Sequence, residues 1–155
     1  MRLGGRPVFL VAANADAGQF RAGTITSLVS VDVEEGQEEV AFVLAHNSEL
    51  LRYLNVGSGL SVSLLGESQS DEAKYFATAG RPNDVIAGRD GWCLESGTPV
   101  FSGAVATLIG EVAAQTPRLG NFLVIAAIEE AAILSAEPPL IYEDGKFRGA
   151  ETTAT

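Results

Sequence analysis

The sequence predicts a mainly β domain: a β-barrel of about seven strands accompanied by two short helices. Three observations carry that prediction. Apolar residues recur in short runs or in alternation, the period of strands. Asp144 and Gly145 stand between two strand-like segments, and an Asp-Gly pair there is a strong hairpin signal. Only two stretches carry the three-to-four-residue spacing of a helix, too few for a βαβ sheet. At 155 residues the chain has the length of one domain. Such a chain buries about 70% of its unfolded surface. Its 46% hydrophobic content and mean hydropathy of +0.19 argue for a packed core. Residues 1–150 are read as that single domain, and the small, polar residues 151–155 as a flexible C-terminal tail.

The first strand falls at 7–13, a continuous apolar run ending in the turn-prone residues 14–18. Arg2 and Arg6 ahead of it, with Ala13, Asn14 and Ala15 behind, imitate a secretory leader. Pro7 interrupts the front, however, and the run is shorter than the roughly 7–15 residues of such a leader. A buried strand is the preferred reading. Residues 24–33, rich in Thr, Val and Ile, form the second strand, and 40–45 the third. In 60–65, Leu60, Val62 and Leu64 share one face, and Ser61 and Ser63 the other. Residues 104–112 and 122–128 carry apolar side chains at both parities, as strands buried on two sides do. The hairpin 140–148 closes the series. Ser48 is placed to cap a first helix bearing Leu50, Leu51 and Leu54 and ending near Gly57. Ser68 and Asp71 have capping-box-like spacing for a second, in which Ala73, Phe76 and Ala77 share a face and Gly80 is the stop. Residues 80–99 show no period and read as a surface excursion anchored by Trp92.

Ten basic against twenty acidic residues leave a net charge of −10, which disfavours nucleic acid as a partner. With one cysteine, Cys93, and one histidine, His46, a disulfide within the chain and a Cys- or His-cluster metal site are excluded. No run approaches the ~18 apolar residues of a membrane-spanning helix, so a soluble, cytoplasmic protein is expected. The signatures of serine hydrolases, phosphate-loop enzymes and zinc proteases are missing. His46 is chemically able to act as a general base, but no motif ties a serine or cysteine to it. Cys93, beside Trp92, reads as a packing residue. No catalytic side chain is therefore assigned. An enzyme with so few acid–base groups takes its chemistry from a cofactor.

The segment 21–30 combines Arg21, Gly23 and the hydroxyls of Thr24, Thr26, Ser27 and Ser30. Hydroxyls and backbone amides bind phosphate or the polar edge of a heterocycle; by composition alone an edge strand with a solvated face fits as well. Residues 21–33 resemble the Gly-Met-Thr-x-Ser-Ser-x-x-Ser-Val stretch of the flavin reductase-like family, with Thr24, Thr26, Ser27 and Ser30 at matching positions. His46, Asn47, Ser48 and Leu50 resemble its next element, a Ser-x-Thr at a helix start. Residues 61–77 are similar to its strand, turn and helix ending in Phe-Ala. Trp92, Gly97, Thr98, Pro99, Val100 and Ala104 echo a further pattern, and 139–148 resembles its closing hairpin. The similarity runs in order from Pro7 to Gly149.

That resemblance implies a split β-barrel forming a homodimer, with FMN or FAD in a groove near the subunit interface. It places the flavin against Thr24, Ile25, Thr26, Ser27 and Ser30, and the phosphate near Asn47 and Ser48, with Arg52 adding charge. By residue chemistry alone, Ser48 serves equally well as a helix cap. The implied activity is transfer of hydride from NAD(P)H to the flavin, with reduced flavin passed to a partner monooxygenase. An alternative is a flavin carrier or electron-transfer module that does not oxidise NAD(P)H; a third is an interaction protein that has lost the ligand. Two departures bear on these. Members that oxidise NAD(P)H carry Gly-Asp-His where this chain has Gly120, Asn121 and Phe122. The family's Asp-Pro-Pro is replaced by the acidic residues 34–39, whose four carboxylates repel nucleotide phosphates.

Overall fold

A computed structural model describes residues 4–32 and 36–149. Thirteen strands and one α-helix order them: β1 (Arg6–Pro7), β2 (Phe9–Asn14), β3 (Gln19–Ile25), β4 (Val29–Asp32), β5 (Glu38–Ala45), β6 (Gly59–Leu64), α1 (Ser70–Ala77), β7 (Asp84–Val85), β8 (Trp92–Glu95), β9 (Thr98–Phe101), β10 (Ala106–Arg118), β11 (Asn121–Ile133), β12 (Leu140–Glu143) and β13 (Lys146–Gly149). Eight form one antiparallel sheet in the order β4-β5-β11-β10-β6-β2-β3-β7, which is not closed on itself. Two smaller sheets, β1-β12-β13 and β8-β9, accompany it.

Strand β2 explains its own composition. Val11 and Ala13 enter one hydrophobic core with Phe42, Leu44, Leu60 and Val124; Val8, Leu10 and Ala12 enter a second with Phe20, Phe76, Trp92 and Leu140. A strand covered on both faces needs apolar residues at both parities, hence the unbroken run. The same two-sided burial holds for β6. Ser61 and Ser63 are buried on the face away from Leu60 and Val62, and the Ser61 hydroxyl donates to the Pro99 carbonyl at 2.6 Å. The stretch 80–99 is thus more ordered than its lack of period implies. It holds β7 and β8, and Trp92 packs 4.3 Å from Phe20 and 5.4 Å from Phe76, ring centre to ring centre.

Several expectations are corrected. About seven strands become thirteen, because β1, β7 and other pieces of two to four residues are too short to show a period. The strand expected at 24–33 is two: β3 starts earlier, at Gln19, and the chain bends at Thr26 before β4. Val33, Glu34 and Glu35 lie outside the described residues, as does the tail 151–155. The first expected helix is a five-residue 3₁₀ turn, Glu49–Tyr53, with Ser48 before it but making no capping bond. Short segments favour this tighter winding because they close few α-type bonds. The second begins as a 3₁₀ turn at Glu67–Gln69 and continues as α1, with Ala77 exposed. Its capping pair is Gly66 and Gln69, whose side-chain oxygen accepts from the Gly66 amide at 2.8 Å; the Ser68 hydroxyl donates instead to Glu137. Asp144 and Gly145 form the expected turn, with φ of 52° and 77°.

Candidate functional site

Strand β3 is the spine of the site. A cleft of about 270 Å³ lies along its first half, walled by Arg21 and Gly23, by Asn47 and Ser48 after β5, by Phe76 of α1 and by Arg81, four residues beyond the end of α1. Gly23 keeps the floor low, since a Cβ there would stand 3.3 Å from Leu50 Cδ2. A second groove, about 380 Å³, continues past the far end of β3 between Thr24, Thr26, Ala77 and the hairpin residues Tyr142, Gly145 and Phe147. Ala77 borders both.

The cleft wall is electrostatically unbalanced. Arg21 is 6% exposed, and its Nη1 donates to the Arg81 carbonyl at 2.7 Å. Arg81 Nη1 pairs with Asp84 at 3.1 Å and Nη2 donates to the Ala22 carbonyl at 2.5 Å, while its buried Nε has no partner among the described residues. Burial and the neighbouring Arg21 both push the Arg81 guanidinium down from its ordinary value. The Tyr75 hydroxyl donates to Asp84 at 2.6 Å, and that bond raises Tyr75. Arg81 is paired with Asp84, whereas Arg21 donates to the neutral Arg81 carbonyl and Asn83 Oδ1, leaving a surplus of positive charge beside the cleft. Glu49 also lines it but faces Arg52 at 3.7 Å. In a chain of net charge −10 this surplus is a local exception.

Asn47 and Ser48 line the cleft, and the Ser48 hydroxyl makes no capping bond. Thr24 and Thr26 line the second groove; Thr24 Oγ1 donates to the Ala73 carbonyl at 2.7 Å, whereas the Thr26 hydroxyl has no partner among the described residues. The Ile25 side chain belongs to the first core, so only its backbone is available to a ligand. The Ser27 hydroxyl is engaged with Val43, accepting from its amide at 3.0 Å, and lines neither groove. Ser30 is exposed on β4. Arg52, its side chain 70% exposed, lies outside the cleft lining. The cations at the cleft are Arg21 and Arg81 instead. Arg81 falls in the stretch without a period, so nothing local marks it; Tyr142 and Phe147 reach the groove only through the fold.

His46 sits at the β10–β11 turn, its Nδ1 2.8 Å from the Gly120 carbonyl. It thus brings an imidazole to the turn formed by Leu119 and Gly120, where it lines a groove together with Phe122.

A family model described as "Flavin reductase like domain" matches residues 1–151. The chain belongs to the flavin reductase-like family. Among its relatives, the reductase component of 4-hydroxyphenylacetate 3-monooxygenase from Thermus thermophilus is 31% identical over 83% of this chain and 78% of that protein. An NADH:FMN oxidoreductase of Rhodococcus qingshengii is 30% identical over 91% of this chain and 74% of that one. The flavin reductase of styrene monooxygenase from Pseudomonas putida S12 shares the fold with a TM-score of 0.82 at 21% identity, covering 96% of this chain and 93% of that one. Among the described residues, no helix of this flavin reductase-like chain is long and apolar enough to cross a membrane.

Proposed function

We propose that this chain binds FMN or FAD in the groove along β3 and transfers hydride to it from NAD(P)H, supplying reduced flavin to a partner monooxygenase. One observation carries the reading. The groove is cationic at one end, with Arg21, Arg81 and the Ser48 hydroxyl, which makes no capping bond, and neutral at the other, with Thr24 and Thr26. Thr26 lies five positions on from Arg21, just past the end of β3, a span of about 16 Å at ~3.3 Å per residue. That length and that polarity suit a molecule with a phosphate at one end and a flat, weakly polar ring at the other.

The residues fit such a group. Arg21, Asn47 and Ser48 offer donors to a phosphate, and the charge surplus favours a dianion there. The dipole of a single 3₁₀ turn adds little, so the arginines supply most of the attraction. Backbone amides near Thr24, Ile25 and Thr26 are available to the ring edge. When bound, the flavin supplies the hydride chemistry; the protein orients the ring and holds it beside the donor. The relatives' names support NADH as the donor and a monooxygenase as the recipient of reduced flavin. The cytoplasm, where nicotinamide nucleotides are abundant, is the compartment of this reading. A homodimer belongs to it as well, joined through the outer face of β4, β5 and β11.

A second reading keeps flavin binding and drops nicotinamide oxidation, because Asn121 and Phe122 offer neither acid nor imidazole. Titration of the purified protein with FMN, followed by anaerobic addition of NADH and, separately, of NADPH, separates the two. A shifted flavin band that bleaches supports the reductase. A shifted band that stays oxidised with NADH and with NADPH supports the carrier, and no shift overturns both.

A further inference from the structure

We infer that the C-terminal hairpin supplies the stacking wall for the flavin ring, through Tyr142 with Phe147 behind it. The inference rests on the flavin reading above and deepens it, since the residues assigned so far touch the ring only from β3.

The two grooves divide their chemistry sharply. The cleft at Ser48 is lined by Arg21, Arg81 and Glu49, whereas the groove beyond Ala77 has no charged side chain in its lining. A phosphate belongs in the first and an uncharged planar ring in the second. The second groove has hydroxyls on one side, from Thr24 and Thr26, and an aromatic pair on the other. Tyr142 and Phe147 are directly opposite in the β12–β13 register, so they share one face of the hairpin. Their ring centres are 5.2 Å apart at an interplanar angle of 56°. Phe147 packs against the second core, which fixes the pair, while Tyr142 stays 38% exposed and its hydroxyl has no partner among the described residues.

The other aromatic contacts on the core side serve packing: Phe20, Phe76, Trp92 and Phe101 form one chain of rings in the second core. The Tyr142–Phe147 pair stands apart from it and opens onto the groove. The turn at Asp144 and Gly145 holds β12 and β13 in register, and β1 pairs with β12 on the other edge, so the wall is preorganised and not a loose flap. An aromatic side chain held this way gains from stacking on a flat heterocycle, at little entropic cost.

The test uses the intact chain and its Tyr142→Leu variant, titrated with riboflavin and with FMN while the flavin's own fluorescence is followed. A tyrosine in contact with a flavin quenches it by donating an electron to the excited ring. The wild-type protein is expected to quench both flavins on binding. Tyr142→Leu is expected to restore a large part of the bound fluorescence and to weaken both flavins alike, by about three- to tenfold. Phe147→Leu, which leaves Tyr142 in place but loosens its support, is expected to broaden and reduce the quenching. Ser48→Ala, at the other end, is expected to weaken FMN and leave riboflavin unchanged. Wild-type fluorescence and affinity in a folded Tyr142→Leu protein overturn the stacking wall while flavin binding stands. Failure of the wild-type chain to bind either flavin overturns the flavin reading itself, and this inference with it.

Discussion

At the scale of single residues, two hydroxyls that the sequence marks as ligand donors are also structural ties. Thr24 Oγ1 donates to the Ala73 carbonyl inside α1, which holds the helix against β3 and so sets the groove width. Thr24→Val keeps the shape but removes the hydrogen bond that ties β3 to α1. It should cost about 1–2 kcal/mol of stability, read as a lower denaturant midpoint at unchanged slope. The Ser27 hydroxyl accepts from the Val43 amide at 3.0 Å, in place of a backbone ladder bond where the chain bends between β3 and β4. That substitution explains why residues 24–33 read as one strand: the Thr, Ser and Val composition is continuous, and the break is made by a side chain mimicking backbone. Ser48, Asn47, Thr24 and Thr26, which line the two grooves, were legible as candidate donors through resemblance and chemistry. Arg81 was not, because its place at the cleft depends on the Ala22 carbonyl of β3, 59 residues away, and its neighbour Asp84 three residues on reads only as a local ion pair.

At the scale of elements, the long hairpin β10–β11 depends on one small residue. Gly110 sits at a register shift between Ile109 and Gly110, and a Cβ there would overlap the Ala127 carbonyl oxygen. Backbone cannot retreat as a flexible side chain does, so Gly110→Ala should cost about 3 kcal/mol, checked by chemical denaturation. The bulge itself left no clear mark, since a glycine within an apolar run is also tolerated without one. The closing hairpin was plain because Asp-Gly is chemically suited to two successive positive φ values. The link from Glu137 to the start of the helical segment gives a pH prediction. The Ser68 hydroxyl and amide both donate to Glu137, which holds its carboxyl below the ordinary range. A carboxyl lowered on folding stabilises the protein above its unfolded pKa, and that contribution is lost as the pH falls through the folded value. Glu137→Gln should therefore narrow its stability deficit relative to wild type as the pH drops into the acid range, as thermal unfolding across pH would register.

At the scale of the whole molecule, the outer face of β4, β5 and β11 bears on assembly. Val29 is 56% exposed and Val43 42%, and strand pairing places both on one face with Leu123 and Ile125. An apolar sheet face of this kind is commonly covered by a symmetry mate. Sedimentation at micromolar concentration should give a dimer, and Val43→Glu should shift it toward monomer; a wild-type monomer would contradict the proposal. The charge of the whole chain points away from nucleic acid, and the basic wall at Arg21 and Arg81 is a local inversion of it, a contrast only the fold reveals.

Equilibrium titration of the wild-type chain with FMN and riboflavin under identical conditions tests that inversion most directly. The two ligands share a ring and differ by the phosphate. If Arg21, Asn47 and Ser48 receive that phosphate, FMN should bind about ten- to a hundredfold more tightly, the scale of one or two charge-assisted hydrogen bonds. Equal affinities, or tighter binding of riboflavin, would contradict the assignment of the cleft.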